Sequence, residues 1–206
     1  MKLMFLENMS FRRLIISGLF FVVYYLEGVS PSYSLEKVKA ENLIRNISYE
    51  VNKVISSGID EDTVIFELEH IFKKYADTDI MALTTLGATR RIASPSQLEE
   101  FKKAFQIYFL NKYARRFREL RDGKISIVSS RSVKSSVEVK TRIRLIDWAP
   151  FEVIWLVSDR SGEVKIFNII IDGINLLSSE RTEIGVMLDN RKGNIDVLSS
   201  DLRSMN

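Results

Sequence analysis

Few side chains in this 206-residue sequence could carry out chemistry. The single histidine, His70, sits in a helical pattern beside Glu69 and Ile71, where a surface or half-buried structural role is expected. One histidine cannot build a His-rich metal site. The sequence has no cysteine, which excludes a thiol nucleophile, a zinc finger, a disulfide framework and a lipidated N-terminal Cys. It also lacks a G-x-S-x-G elbow, a Gly-rich phosphate loop and an H-E-x-x-H pair. What remains is a carboxylate base in an apolar cavity, as an isomerase on a cone-shaped α+β fold would use. Asp172 and Glu152 are the candidates, and both fall at a strand end or on a solvent-facing edge. The chain is therefore expected not to be an enzyme and to need no cofactor or metal.

Composition fits a folded protein with a substantial core, since 46% of residues are hydrophobic and 28% charged. The net charge of +3 is small and the basic residues are interspersed with acids, Arg115, Arg116 and Arg118 being the densest group. A nucleic-acid surface would need a basic patch with aromatic residues on a matching face, and none is read here.

The elements that must position any site centre on residues 150–177. Two β-branched and aromatic runs, 151–157 and 164–171, flank Asp159-Arg160-Ser161-Gly162, which has the composition of a hairpin turn. Alternation puts Phe151, Val153, Trp155 and Val157 on one face of the first run, with Glu152, Ile154 and Leu156 on the other. In the second run Phe167, Ile169 and Ile171 oppose Val164, Ile166, Asn168 and Ile170. Neither run alternates cleanly between apolar and polar, so cover on both faces is expected. Strands over 125–129 and 135–145 precede the hairpin, and the second alternates Val137, Val139, Thr141, Ile143 and Leu145 with charged residues.

Helices come before and after these strands rather than between them. Helical periodicity covers 35–57, a second segment carrying Val64 to Tyr75, a short segment after Asp77-Thr78-Asp79 that stops at Gly87, and a long helix from Pro95 to about residue 120. Ser94-Pro95-Ser96-Gln97 is a capping box with proline at the first helical position. Along that long helix Leu98, Phe101, Phe105, Tyr108, Phe109, Tyr113 and Phe117 form one stripe, which suits either closed core or a cavity wall. Two short helices over 179–188 and 194–202 end the chain, the first capped by Ser178 or Ser179. The class is α+β: a twisted antiparallel sheet of about four strands packed with several helices.

The first 34 residues have the form of an export signal. Lys2, Arg12 and Arg13 precede an apolar run over 14–26, broken by Glu27, Gly28 and Pro31, and Ser32-Tyr33-Ser34 offers small residues at a cleavage site. The run is too short for the ~20 residues of a spanning helix. Cleavage near Ser34 leaves one domain over 35–206, and initiation at Met9 would give a shorter leader.

The order and spacing of several pieces resemble the MlaC family of periplasmic lipid-binding, toluene-tolerance-type proteins. They are Asp79 to Gly87, Ala93 to Gln97, Phe101 with Phe105, Tyr113-Ala114 with Phe117, residues 164–176 and the segment around Arg181 and Glu183. Phe167, Asn168 and Asp172 stand where Tyr, Asp and Glu are commoner, and Ile146-Asp147-Trp148-Ala149 replaces a short polar turn. The resemblance implies a periplasmic phospholipid carrier with an apolar cavity between sheet and helices. Its implied partners are an inner-membrane ABC transporter complex and an outer-membrane lipoprotein–porin complex. The lipid-binding candidates are then Met81, Leu86, Phe101, Phe105, Tyr108 and Phe109 from helices, with Val153, Trp155, Phe167, Ile169 and Ile171 from strands. A hopanoid carrier of the same fold and a non-catalytic interaction module with a closed core are the alternatives.

Overall fold

A computed structural model describes residues 36–117, 123–145 and 148–205. The expected leader, its alternative start, Arg118, the turn at Arg121-Asp122 and the pair Ile146-Asp147 lie outside them. The class is α+β, with six helices and an open antiparallel sheet of five strands among the described residues. The order is α1 (Lys37–Ile55), α2 (Glu61–Tyr75), α3 (Thr78–Thr85), a 3-10 turn (Gly87–Arg91), α4 (Pro95–Phe117), β1 (Lys124–Val133), β2 (Ser136–Arg144), β3 (Phe151–Ser158), β4 (Lys165–Ile171), β5 (Ile174–Asn175), α5 (Leu176–Asn190) and α6 (Ile195–Ser204). No helix among the described residues is long and apolar enough to cross a membrane.

Local chemistry sets most helix starts. Asp60 caps α2 by accepting from the Thr63 amide, and Asp77 caps α3 by accepting from Ile80. At α4 the capping box closes in both directions: the Ser94 hydroxyl accepts from the Gln97 amide, and the Gln97 side chain accepts from the Ser94 amide. Asn194 caps α6. The start of α5 differs from the expectation. The helix begins at Leu176 and its cap is Asn175, not Ser178 or Ser179, because the Asn175 carboxamide oxygen accepts from the Ser178 amide. The buried Asn168 amide donates to that same oxygen at 3.0 Å and holds it in place.

Strand order follows chain order, β1-β2-β3-β4-β5, with every pair antiparallel. Val139, Trp155 and Ile169 stand in register across β2, β3 and β4. Between Leu156 and Val157 the β3–β4 register shifts: Leu156 faces Asn168 but Val157 faces Ile166, leaving Phe167 as the extra residue of a bulge. Simple alternation therefore fails at this point. Ile166 joins Val157, Trp155 and Ile169 in one apolar cluster instead of staying with Asn168. The fifth strand, two residues long, turns back on β4 through Asp172-Gly173, both at positive φ (46° and 83°).

Helix α1 lies on β1, β2 and β3, burying Ala40 and Ile44 against Val137, Val139, Val153 and Trp155. The remaining helices pack mainly on one another and reach the sheet at β4, through α3 and α5. A single parallel bridge, Ala76 to Ile166, ties the end of α2 to the same strand.

Candidate functional site

The long helix α4 supplies the largest share of the helical core. Phe101 and Phe105 are fully buried and Phe109 nearly so, joined by Met81 and Leu86 from α3 and by Ile184 and Leu188 from α5. The rings run as a chain along α4: Phe105 lies 5.5 Å from Phe109 and 6.2 Å from Tyr108, and Phe109 lies 4.5 Å from Tyr113. Phe72 of α2 stacks on Phe109 at 5.2 Å. Spacings of this order suit tilted aromatic pairs, which add to the burial of the rings themselves.

All six helical candidates, Met81, Leu86, Phe101, Phe105, Tyr108 and Phe109, are in this one cluster. Val153, Trp155 and Ile169 are brought together in a second cluster, between the sheet and α1. Phe167 is half-buried in the bulge, and Ile171 is 40% exposed at the end of β4. Nine of the eleven candidates are thus divided between two apolar bodies and Phe167 and Ile171 belong to neither, while Leu176 at the start of α5 packs against both.

Each body carries buried polar anchors. In the sheet body the Trp155 indole donates to the Thr141 hydroxyl at 2.9 Å, and that hydroxyl donates to the Val153 carbonyl at 3.1 Å. Both polar atoms are thereby satisfied in an otherwise apolar face. In the helical body Lys112 of α4 lies between Glu180 and Glu183 of α5. Its ammonium is 2.8 Å from Glu180 Oε1 and donates also to Glu183 and to the Tyr108 hydroxyl. Tyr108 donates to Glu183 at 2.8 Å, and Tyr113 donates to Glu180. Glu180 is 1% exposed, and its Oε2 has no hydrogen-bond partner among the described residues.

Electrostatics follow from that geometry. Burial pushes the Tyr108 phenol far up, and its bond to the Glu183 carboxylate adds to the shift. For Glu183 burial opposes ionisation, but the bonds from Lys112 and Tyr108 together outweigh it and leave the carboxyl below its usual range. Sequence reading named Tyr108 and Tyr113 as stripe residues and Glu183 through resemblance, but missed Lys112, Glu180 and the network they form. Its signal was the four-residue spacing of Tyr108 and Lys112 on the aromatic helix, matched by Glu180 and Glu183.

Other charged candidates are placed outside these bodies. Glu152 is paired with Lys140 at 2.9 Å, and Asp172 Oδ1 accepts from the Glu152 amide. His70 is exposed on α2, its ring against Phe66. A cleft of about 310 Å³ opens where α4 and α6 begin, between Ile92, Gln97, Lys192 and Asp196. It includes none of the eleven apolar candidates and its lining is largely polar.

The fold has a solved counterpart. A phospholipid-binding protein from Ralstonia solanacearum, determined in complex with a phospholipid, superposes with a TM-score of 0.68 at 17% identity, covering 81% of this chain and 96% of that one. No curated protein matches the chain. The family model for MlaC protein matches residues 42–204, nearly all of the described structure. The chain belongs to the MlaC family.

Proposed function

We propose that this protein is a periplasmic phospholipid carrier, exported by cleavage near Ser34, that shuttles lipid between an outer-membrane lipoprotein–porin complex and an inner-membrane ABC transporter complex. The observation that carries the reading is family membership together with a fold shared with a lipid-bound relative. Two adjoining apolar bodies support it. Acyl chains would lie where those bodies meet near Leu176, with Phe101, Phe105, Tyr108 and Phe109 on the helical side and Val153, Trp155 and Ile169 on the sheet side. Met81 and Leu86 would extend the helical wall, and Phe167 and Ile171 the sheet wall towards its open end.

The physics of such a carrier is simple. Each methylene exposed to water costs ~0.8 kcal/mol, so a free lipid crosses an aqueous gap slowly. A dry apolar cavity removes that cost without greatly out-competing a bilayer, which permits both loading and release. No nucleophile, base or metal is required for it.

The test is mass spectrometry of lipid extracted from protein purified without detergent. Stoichiometric phospholipid is expected. A hopanoid in its place would change the cargo and keep the carrier, whereas an empty, stable protein would favour a closed-core interaction module.

A further inference from the structure

We propose that the seam between α4 and α5 is the port through which acyl chains enter and leave the helical apolar body, with Lys112 as its closure. The inference rests on the carrier reading above and adds a route to it. It starts from how the two helices meet. Helix α4 packs closely on α3 and α6, and α5 on α3 and β4, whereas the backbones of α4 and α5 make few close approaches. Side chains join them instead. Beneath the surface these are apolar, with Phe105 and Phe109 of α4 in one cluster with Ile184 of α5. Above them lies the polar set already described, in which Lys112 donates to Glu180, Glu183 and Tyr108.

Exposure is graded across this seam. The side chain of Glu180 is 1% exposed, that of Lys112 25% and that of Glu183 44%, so polar groups run from the apolar interior out to water. Such a closure opens more readily than an apolar one. Each outer group can exchange its protein partner for water, while separating apolar side chains exposes area with no such compensation. Lys112 is the piece able to move, because its ammonium sits on a flexible stem and already reaches solvent. Where it lies it covers the end of the aromatic row, 5.1 Å from the centre of the Tyr108 ring and 5.6 Å from that of Tyr113. Swinging Lys112 and Glu183 outward uncovers those rings, with Phe105 behind Tyr108. Glu180 also stands one turn along α5 from Leu176, on the same side of the helix, so the port opens beside the place where the two apolar bodies adjoin. The boundary between α1 and the sheet offers no equivalent, being closed by Ala40 and Ile44 against Val137 and Val139.

The experiment locks the seam. The sequence has no cysteine, so introduced thiols are the only ones. Lys112→Cys/Glu180→Gln/Glu183→Cys sets one thiol on each side and leaves no uncompensated carboxylate buried between them. A short bis-methanethiosulfonate links the thiols through disulfides that a reductant breaks. The readout is transfer of phosphatidylethanolamine with a pyrene-labelled acyl chain, from loaded protein to phosphatidylcholine vesicles. The linked protein should transfer at least about tenfold more slowly than the same protein unlinked. Recovery on reduction makes the comparison independent of any folding defect in the variant. Glu41→Cys/Ser130→Cys, linked the same way across α1 and β1 where those side chains meet at 2.6 Å, should transfer at its unlinked rate. Glu183→Ala keeps the Lys112–Glu180 pair but removes its outer clasp, and should speed transfer about tenfold. Transfer that ignores the seam link, that is stopped equally by the α1–β1 link, or that is no faster in Glu183→Ala overturns the port and leaves the carrier standing. If the unaltered protein takes up no labelled lipid, the carrier reading fails and the port fails with it.

Discussion

Replacing Lys112 by Met is the sharpest perturbation of the helical body. Lys112 is 25% exposed at its side chain and is the cation for Glu180, which is 1% exposed. With Lys112 gone, Glu183 can turn to water, being 44% exposed at its side chain. Glu180 cannot: it keeps only the Tyr113 hydroxyl, and its Oε2 already lacks a partner among the described residues. Removing one member of a buried pair costs about 3 kcal/mol, mostly the price of an uncompensated charge. Glu180→Gln should cost less, about 1–2 kcal/mol, because Lys112 is partly exposed and retains Glu183. The double variant Lys112→Met/Glu180→Met removes both charges and should be no worse than Lys112→Met alone. With a slope of about 2 kcal/mol per molar in urea, the first variant should lower the unfolding midpoint by roughly 1.5 M at neutral pH. Equal losses from the two single variants would refute the asymmetry, as would a double variant that costs their sum.

Three further outcomes are expected. Glu50 joins α1 to α2 by accepting from Lys74 at 2.7 Å and from Tyr75 at 2.8 Å. Burial opposes its ionisation, but those bonds outweigh it and hold its carboxyl below the usual 4.5. Its contribution is thus present above the unfolded value and lost as pH falls through the folded one, so urea titrations of wild type and Glu50→Gln should differ at neutral pH and converge in acid, once the pH has fallen through the folded value. Gly87 has φ of +59° and a Cβ there would meet the Arg181 guanidinium at 3.1 Å. Gly87→Ala should cost about 1 kcal/mol in thermal unfolding, and an Arg181→Ala background should not rescue it, because the exposed guanidinium can move while the backbone cannot. Ser94→Ala breaks the capping box and should cost about 1 kcal/mol, measured the same way.

What was legible in the sequence was local. The Ser94–Gln97 spacing located the start of α4 to the residue, and the alternation from Val137 to Ile143 gave the buried face of β2. The Asp159-to-Gly162 turn closes as its composition requires, with Gly162 at positive φ donating to the Asp159 carbonyl. What escaped depends on partners distant in the chain. The bulge at Phe167 is a property of the β3–β4 pairing, and without it Ile166 counts to the wrong face. Asn175 outcompetes the serines as a cap because Asn168, seven residues earlier, fixes its side chain. The Lys112–Glu180 contact spans 68 residues. An aromatic stripe at helical spacing said that α4 is buried, but not that its cluster and that of Trp155 would be separate bodies.

The strictly sequential strand order has a kinetic consequence. Every strand pairs with its immediate neighbour in the chain, so the sheet can zip up hairpin by hairpin with short loop closures. Helix α1 is synthesised first, yet Ala40 and Ile44 find their partners only once β2 and β3 exist, about a hundred residues later. A chain emerging from its N-terminus must therefore carry an apolar helix unsatisfied until the hairpins are complete. Until then the Ala40–Ile44 face of α1 stays open, and a holding chaperone would find its target there.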